Sequence, residues 1–99
     1  MKTLTIHATK RVAQRNLSKD DLEYVLHHGT KCHKAGACFY FLAGKDIPAE
    51  DRKDNEIARL EGTTLVLDPG QTTIVTVYRN REKGLKRIRR KQDYLGFEN

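Results

Sequence analysis

Apolar positions along the chain follow one rhythm in the first third and another afterwards. From Ile6 to Gln14 or Arg15 there is no Gly or Pro, and Ala8 and Val12 recur at helical spacing. A first helix is expected there, after a short extended lead-in from Thr3 to Ile6. The second helix carries fuller local signals. Ser18 stands as N-cap, Asp21 three residues later gives a capping-box pattern, and Leu17 and Leu22 occupy the positions of a hydrophobic staple. Asp20, Asp21 and Glu23 place negative charge where the helix dipole favours it. Leu22, Val25 and Leu26 form the apolar stripe, and Gly29 is expected to end the helix as its C′ residue.

Beyond Gly29 the period shortens to that of strands. Thr30 to Lys34 and Ala37 to Ala43 flank Ala35-Gly36, which predicts two strands joined by a tight turn. The segment ACFYFLA is apolar throughout, as expected of a strand covered on both faces. Residues 44–55 are polar and contain Pro48, so they read as a loop with room for one helical turn. Residues 56–67 read as a strand broken or bulged at Gly62. After the turn signal Asp68-Pro69-Gly70-Gln71, residues 72–79 alternate. Ile74, Thr76 and Tyr78 are expected on one face, Val75 and Val77 on the other. From about Arg81 to Tyr94 the chain reads as a basic helix with Leu85, Ile88 and Leu95 inward, although Gly84 counts against it. The expected fold is one α+β domain spanning residues 1–99. Two N-terminal helices pack on a mostly antiparallel three- to four-stranded sheet, with a basic C-terminal helix and the helices on one face.

Composition limits the size of the core. The chain has 99 residues, of which 37% are hydrophobic and 32% charged, enough for one modest apolar interior. No apolar run is long enough to span a bilayer and the N-terminus lacks a secretory apolar stretch, so a cytoplasmic location is expected. Cys32 and Cys38 are then expected as free thiols. The net charge of +6 is unevenly placed. Residues 1–78 hold eleven Lys/Arg against ten Asp/Glu, whereas residues 79–91 hold eight against one. A concentrated basic segment suits a phosphate-rich partner, and a solvated helix face is the plainer alternative.

Common site chemistries find little support. His27, His28, Cys32, His33 and Cys38 lie close in sequence, but the cysteines are five residues apart with no second pair, and Cys38 sits in the apolar strand. That is not the paired spacing of a zinc site, and no metal is expected. No glycine-rich phosphate loop or nucleophile elbow occurs, so no cofactor is expected either. His7, Arg11 and Arg15 stand at i, i+4 and i+8, within a stripe of about 80° that adjoins the Ala8/Val12 face. A histidine beside arginines is what metal-independent RNA cleavage requires: a group titrating near neutrality, and forked donors for phosphate oxygens. Thr76 and Tyr78 are available hydroxyls on a neighbouring strand. Ordinary surface charges on an amphipathic helix would look the same.

The pattern T-x-H-A-x-x-R-x-x-x-R, here Thr5, His7, Ala8, Arg11 and Arg15, resembles the bacterial domain-of-unknown-function family 4258. So do the second helix ending in Gly29, the segment RLEGTTLVL, and TVYRN followed by LKRIRRK. That family is similar to RelE-like and barnase–EndoU-like ribonuclease toxins. The resemblance implies a small α+β fold and metal-independent RNA cleavage of the toxin–antitoxin type, with His7, Arg11, Thr76 and Tyr78 as site residues. On this reading RNA is the main partner and an antitoxin-type protein a second. Arg79, Arg81, Lys86, Arg87, Arg89, Arg90 and Lys91 would track the RNA backbone. The alternative is a non-catalytic, basic nucleic-acid-binding or regulatory module.

Overall fold

The computed structural model describes residues 2–80 and, beyond them, Ile88. Strand β1 (Thr3–Leu4) leads into helix α1 (Ile6–Gln14), and helix α2 (Lys19–His28) follows. Strands β2 (Thr30–Lys34) and β3 (Ala37–Phe41) form a hairpin. Two 3-10 turns (Gly44–Asp46 and Asp51–Lys53) and a short helix α3 (Asn55–Ala58) then lead to strands β4 (Thr63–Leu67) and β5 (Thr73–Arg79). The strands form one sheet in the order β1-β5-β4-β3-β2.

The α+β class is as expected, but the sheet is larger and mixed. It has five strands, because the lead-in at Thr3 and Leu4 pairs in parallel with Thr73 and Ile74 while the other pairings are antiparallel. A two-residue strand has no periodicity to read, so its partner is decided only by the free edge of β5.

Local signals placed the helices well. Ser18 and Asp21 close a reciprocal capping box, Asp21 N–H donating to Ser18 Oγ at 3.1 Å and Ser18 N–H to Asp21 Oδ2 at 2.8 Å. Between α1 and α2 the turn is short. Asn16 adopts φ 55°, its N–H donates to Ala13 O, and Leu17 N–H donates to Val12 O. This is the double closure of a Schellman motif with Asn in the left-handed position. Gly29 does not take that role. Its φ is −69° and its backbone extended, and glycine is needed there because a Cβ would stand 2.6 Å from Val25 O and 3.2 Å from Phe41 O.

The main core lies between the helices and one face of the sheet, where Ala8, Leu22, Val25, Cys38, Leu42, Leu65, Leu67, Ile74 and Val77 are buried together. Burying each of the Leu, Ile and Val side chains contributes about 1.5–3 kcal/mol. The opposite face is covered too. Phe39, Phe41 and Ile88 are buried as a second cluster, with Cys32 and Val66 packed against it. Strand β3 is therefore covered on both sides, as its composition required. Ile88, with helical backbone and 1% exposure, sits on the face away from α1 and α2. Among the described residues, α1 and α2 share the other face, where Ala8, Leu22 and Val25 are buried. Leu85, Leu95 and the remainder of the expected basic helix lie outside the described residues.

Two further expectations are revised. Residues 56–67 are not one strand: Asp54 caps α3 through Glu56 N–H, and β4 begins only at Thr63, after Gly62 at φ 88°. Strand β5 does not alternate simply, because its register against β4 shifts between Val66 and Leu67. Val66 faces Thr76 and Leu67 faces Ile74, which leaves Val75 as an inserted residue. Ile74 and Val77, three apart, can both enter the main core only through such a bulge. Val75 is 40% exposed as a result. Thr76 and Tyr78 stay on a common face, and Ile74 leaves it.

Candidate functional site

Thr5 sets the position of α1 beside β5. Its Oγ1 accepts from Ala8 N–H at 3.0 Å as the helix N-cap and donates to Val75 O at 2.9 Å. Its own N–H donates to Ile74 O at 3.0 Å. One residue thus caps the helix and pins it at the bulge. Past the two residues of β1, the edge of β5 is flanked by α1 instead of a strand.

This arrangement brings together three of the expected site residues. His7 Nε2 lies 3.0 Å from Thr76 Oγ1 and 3.4 Å from Arg11 Nε. Arg11 Nη1 also donates to Gln14 Oε1 at 3.2 Å, which steadies the guanidinium along the helix. A guanidinium can only donate, so this contact makes Nε2 an acceptor and puts the ring proton on Nδ1. His7 and Arg11 are exposed, and Thr76 is half-buried. Tyr78 shares the face of Thr76 two residues further along β5, where burial pushes its phenol above the usual tyrosine range. It therefore remains protonated and able to donate near neutral pH. Neither His7 nor Arg11 has a carboxylate partner among the described residues.

Arg15 stands apart from that cluster. It lines an open groove of about 390 Å³ at the far end of α1, together with Gln14, Asn16, Arg59, Thr63 and Arg79. Arg59 is paired with Asp21 at 2.6 Å and with Glu56 at 3.3 Å. Arg79 donates from Nε to Glu61 O at 3.1 Å and from Nη2 to Arg59 O at 2.7 Å. Sequence reasoning grouped Arg79 with the basic segment, but its guanidinium is built into the end of the sheet. Arg81, Lys86, Arg87, Arg89, Arg90 and Lys91 lie outside the described residues.

Two features escaped the sequence reading. Thr5 was legible as part of a motif, and its place just before a helix is an N-cap signal. The second is charge: residues 1–19 contain five Lys/Arg and no Asp/Glu, whereas residues 20–78 hold six against ten. Averaging over residues 1–78 hides a basic α1 behind an acidic middle.

The histidines and cysteines do not converge. Cys38 is buried in the main core, and Cys32 packs in the cluster on the other face. His28 stacks on Tyr24 with ring centroids 4.0 Å apart. Among the described residues no three His, Cys, Asp or Glu side chains gather as a metal site, and no helix is long and apolar enough to cross a membrane. No protein-family model matches this chain, and no curated protein or solved structure matches it either.

Proposed function

We propose that this protein is a metal-independent, toxin-type ribonuclease working in the cytoplasm, with His7, Arg11, Thr76 and Tyr78 at its reacting centre. The observation that carries the reading is the meeting of His7 Nε2 with Thr76 Oγ1 at 3.0 Å and Arg11 Nε at 3.4 Å, on an exposed edge. The resemblance to the family of HAxxR proteins and their ribonuclease-toxin relatives points the same way.

In this mechanism the arriving phosphodiester is a stronger acceptor for Arg11 than a neutral imidazole, so the guanidinium turns to a non-bridging oxygen. The Thr76 hydroxyl turns with it, and the freed Nε2 lone pair takes the proton of the attacking 2′-OH. The oxygen forms its bond to phosphorus as the bond to the 5′-oxygen breaks, leaving a 2′,3′-cyclic phosphate. Arg11 offsets the charge that builds on the phosphate oxygens. Thr76 positions the phosphate beside the ring, and the Tyr78 phenol is a proton donor for the leaving oxygen.

Cleavage of RNA in EDTA tests the reading. His7→Ala is expected to slow it by about 10²–10⁴-fold, the usual contribution of a general acid–base group. Expression of wild type, but not of His7→Ala or Arg11→Ala, is expected to inhibit growth. Equal cleavage by wild type and His7→Ala would remove His7 from the chemistry.

A second reading has its own support. Residues 1–19 hold five bases and no acids, and Lys10 and Arg11 of α1 with Arg15 at its C-cap make that helix basic whatever its chemistry. A non-catalytic nucleic-acid-binding module would show salt-dependent RNA binding without turnover.

A further inference from the structure

We infer that Ile6 and Val75 form an apolar platform for one base of single-stranded RNA, beside the phosphate that meets His7, Arg11 and Thr76. The inference rests on RNA being the partner but not on its being cut. Among the described residues, Ile6 and Val75 are the large hydrophobic residues left exposed, at 79% and 40%. One such residue alone would carry no meaning, because single apolar side chains are common on protein surfaces. These two adjoin one contact. Ile6 precedes His7, Val75 precedes Thr76, and His7 Nε2 lies 3.0 Å from Thr76 Oγ1.

Backbone geometry keeps the two residues together. Thr5 donates from Oγ1 to Val75 O and from its N–H to Ile74 O, so the residue before Ile6 is bonded to the carbonyls on both sides of the Val75 N–H. Ile74 and Val77 are both buried in the main core, and side chains alternate away from each of them. Val75 and Thr76 therefore both turn to the opposite face, as the two bulge residues set against Val66. Ile6 lies about 100° around α1 from His7 and about 200° from Ala8, the residue that enters the core. Charge selects the occupant. Lys10 stands one turn along from Ile6, Arg11 one turn along from His7, and residues 1–19 hold no Asp or Glu. The surface thus suits a ligand that is apolar on one flat side and anionic close by. A nucleotide is both, since every base has a π-face and its phosphate follows within one sugar. A base can lie on such a platform only when unpaired, which favours single strands. Aliphatic side chains offer it no hydrogen bonds, so the platform adds affinity without reading sequence.

The test measures binding of two uncleavable 2′-O-methyl tetramers, one carrying its bases and one abasic, by wild type, Ile6→Ser and Ile6→Trp. Wild type is expected to favour the base-bearing tetramer severalfold. Ile6→Ser is expected to remove most of that preference without changing affinity for the abasic tetramer. Its salt dependence stays that of wild type, because no phosphate contact is lost. Ile6→Trp enlarges the platform and is expected to raise base-bearing affinity above wild type. Val75→Thr, of the same shape, is expected to repeat the loss. Ile6 is exposed, so its replacements leave the melting temperature in place. Equal affinity of wild type for both tetramers, or an equal loss on both in Ile6→Ser, would overturn the platform. So would intact tetramer binding in Ile6→Ser with lost binding to phosphatidylglycerol vesicles, which would assign these residues to an anionic membrane surface. If wild type favours the bases yet cleaves nothing, the ribonuclease reading fails and the platform stands. If it cleaves RNA but binds both tetramers alike, the platform fails and the ribonuclease reading stands.

Discussion

Thr5 shows how much of a site a single hydroxyl can organise. It accepts from Ala8 N–H, donates to Val75 O, and so fixes both the first turn of α1 and its distance from β5. His7 reaches Thr76 because of that anchor, although the two lie 69 residues apart in sequence. Thr5→Val removes both bonds while keeping the shape. It is expected to cost about 1 kcal/mol of stability, as loss of an N-cap does. If the proposed ribonuclease function holds, it should also reduce RNA cleavage at temperatures where the protein remains folded. Thr5→Ser is expected to restore both, and kinetics beside a thermal melt distinguish this positioning role from simple destabilisation.

Among the elements, the β2–β3 hairpin is held by a turn with an unfavourable residue. Ala35 and Gly36 both have positive φ, at 55° and 74°, as a two-residue turn matched to the twist of its strands requires. Ala35 has a Cβ in a left-handed backbone, a conformation that costs on the order of 1 kcal/mol. Ala35→Asn is therefore expected to raise stability by about that amount, since Asn tolerates the conformation. A urea titration would show a higher midpoint with an unchanged slope. The β4–β5 connection is stapled differently. Asp68 Oδ1 accepts from the N–H groups of Thr72 and Thr73, both at 2.8 Å, and Oδ2 accepts from Thr72 Oγ1 at 3.1 Å. That turn sets where β5 begins, and hence where the bulge and Thr76 fall.

For the whole molecule, charge and acid stability follow from these parts. Residues 1–19 and 79–91 are basic, and the chain between them is acidic. A polyanion would engage the two ends of the sequence and avoid its middle. Asp68 links the fold to pH. The N–H of Thr73, ahead of the other donors, holds its carboxyl below the usual carboxylate range. A group depressed on folding stabilises the protein above its unfolded value, about 3.9 for Asp, and loses that contribution as the pH falls through the folded value. Melting temperature is expected to decline on acidification below that range, and Asp68→Asn to flatten the decline.

Within one or two turns of chain, the sequence by itself determined a good deal. The capping box at Ser18, the turn at Ala35-Gly36, the apolar β3 and the inward Ile88 all depend on neighbours close in sequence or on side-chain character alone. The histidine–arginine stripe was legible for the same reason, since helical spacing places His7 and Arg11 side by side. Tertiary structure decided what distant segments compete for. The free edge of β5 captured Thr3 and Leu4 as a parallel fifth strand. Burial of both Ile74 and Val77 forced the bulge that broke simple alternation. Close backbone approach, not a left-handed turn, required Gly29. Only the assembled sheet could set Thr76 against His7 and move Arg15 to a groove with Arg79, because those distances depend on strand register and helix docking.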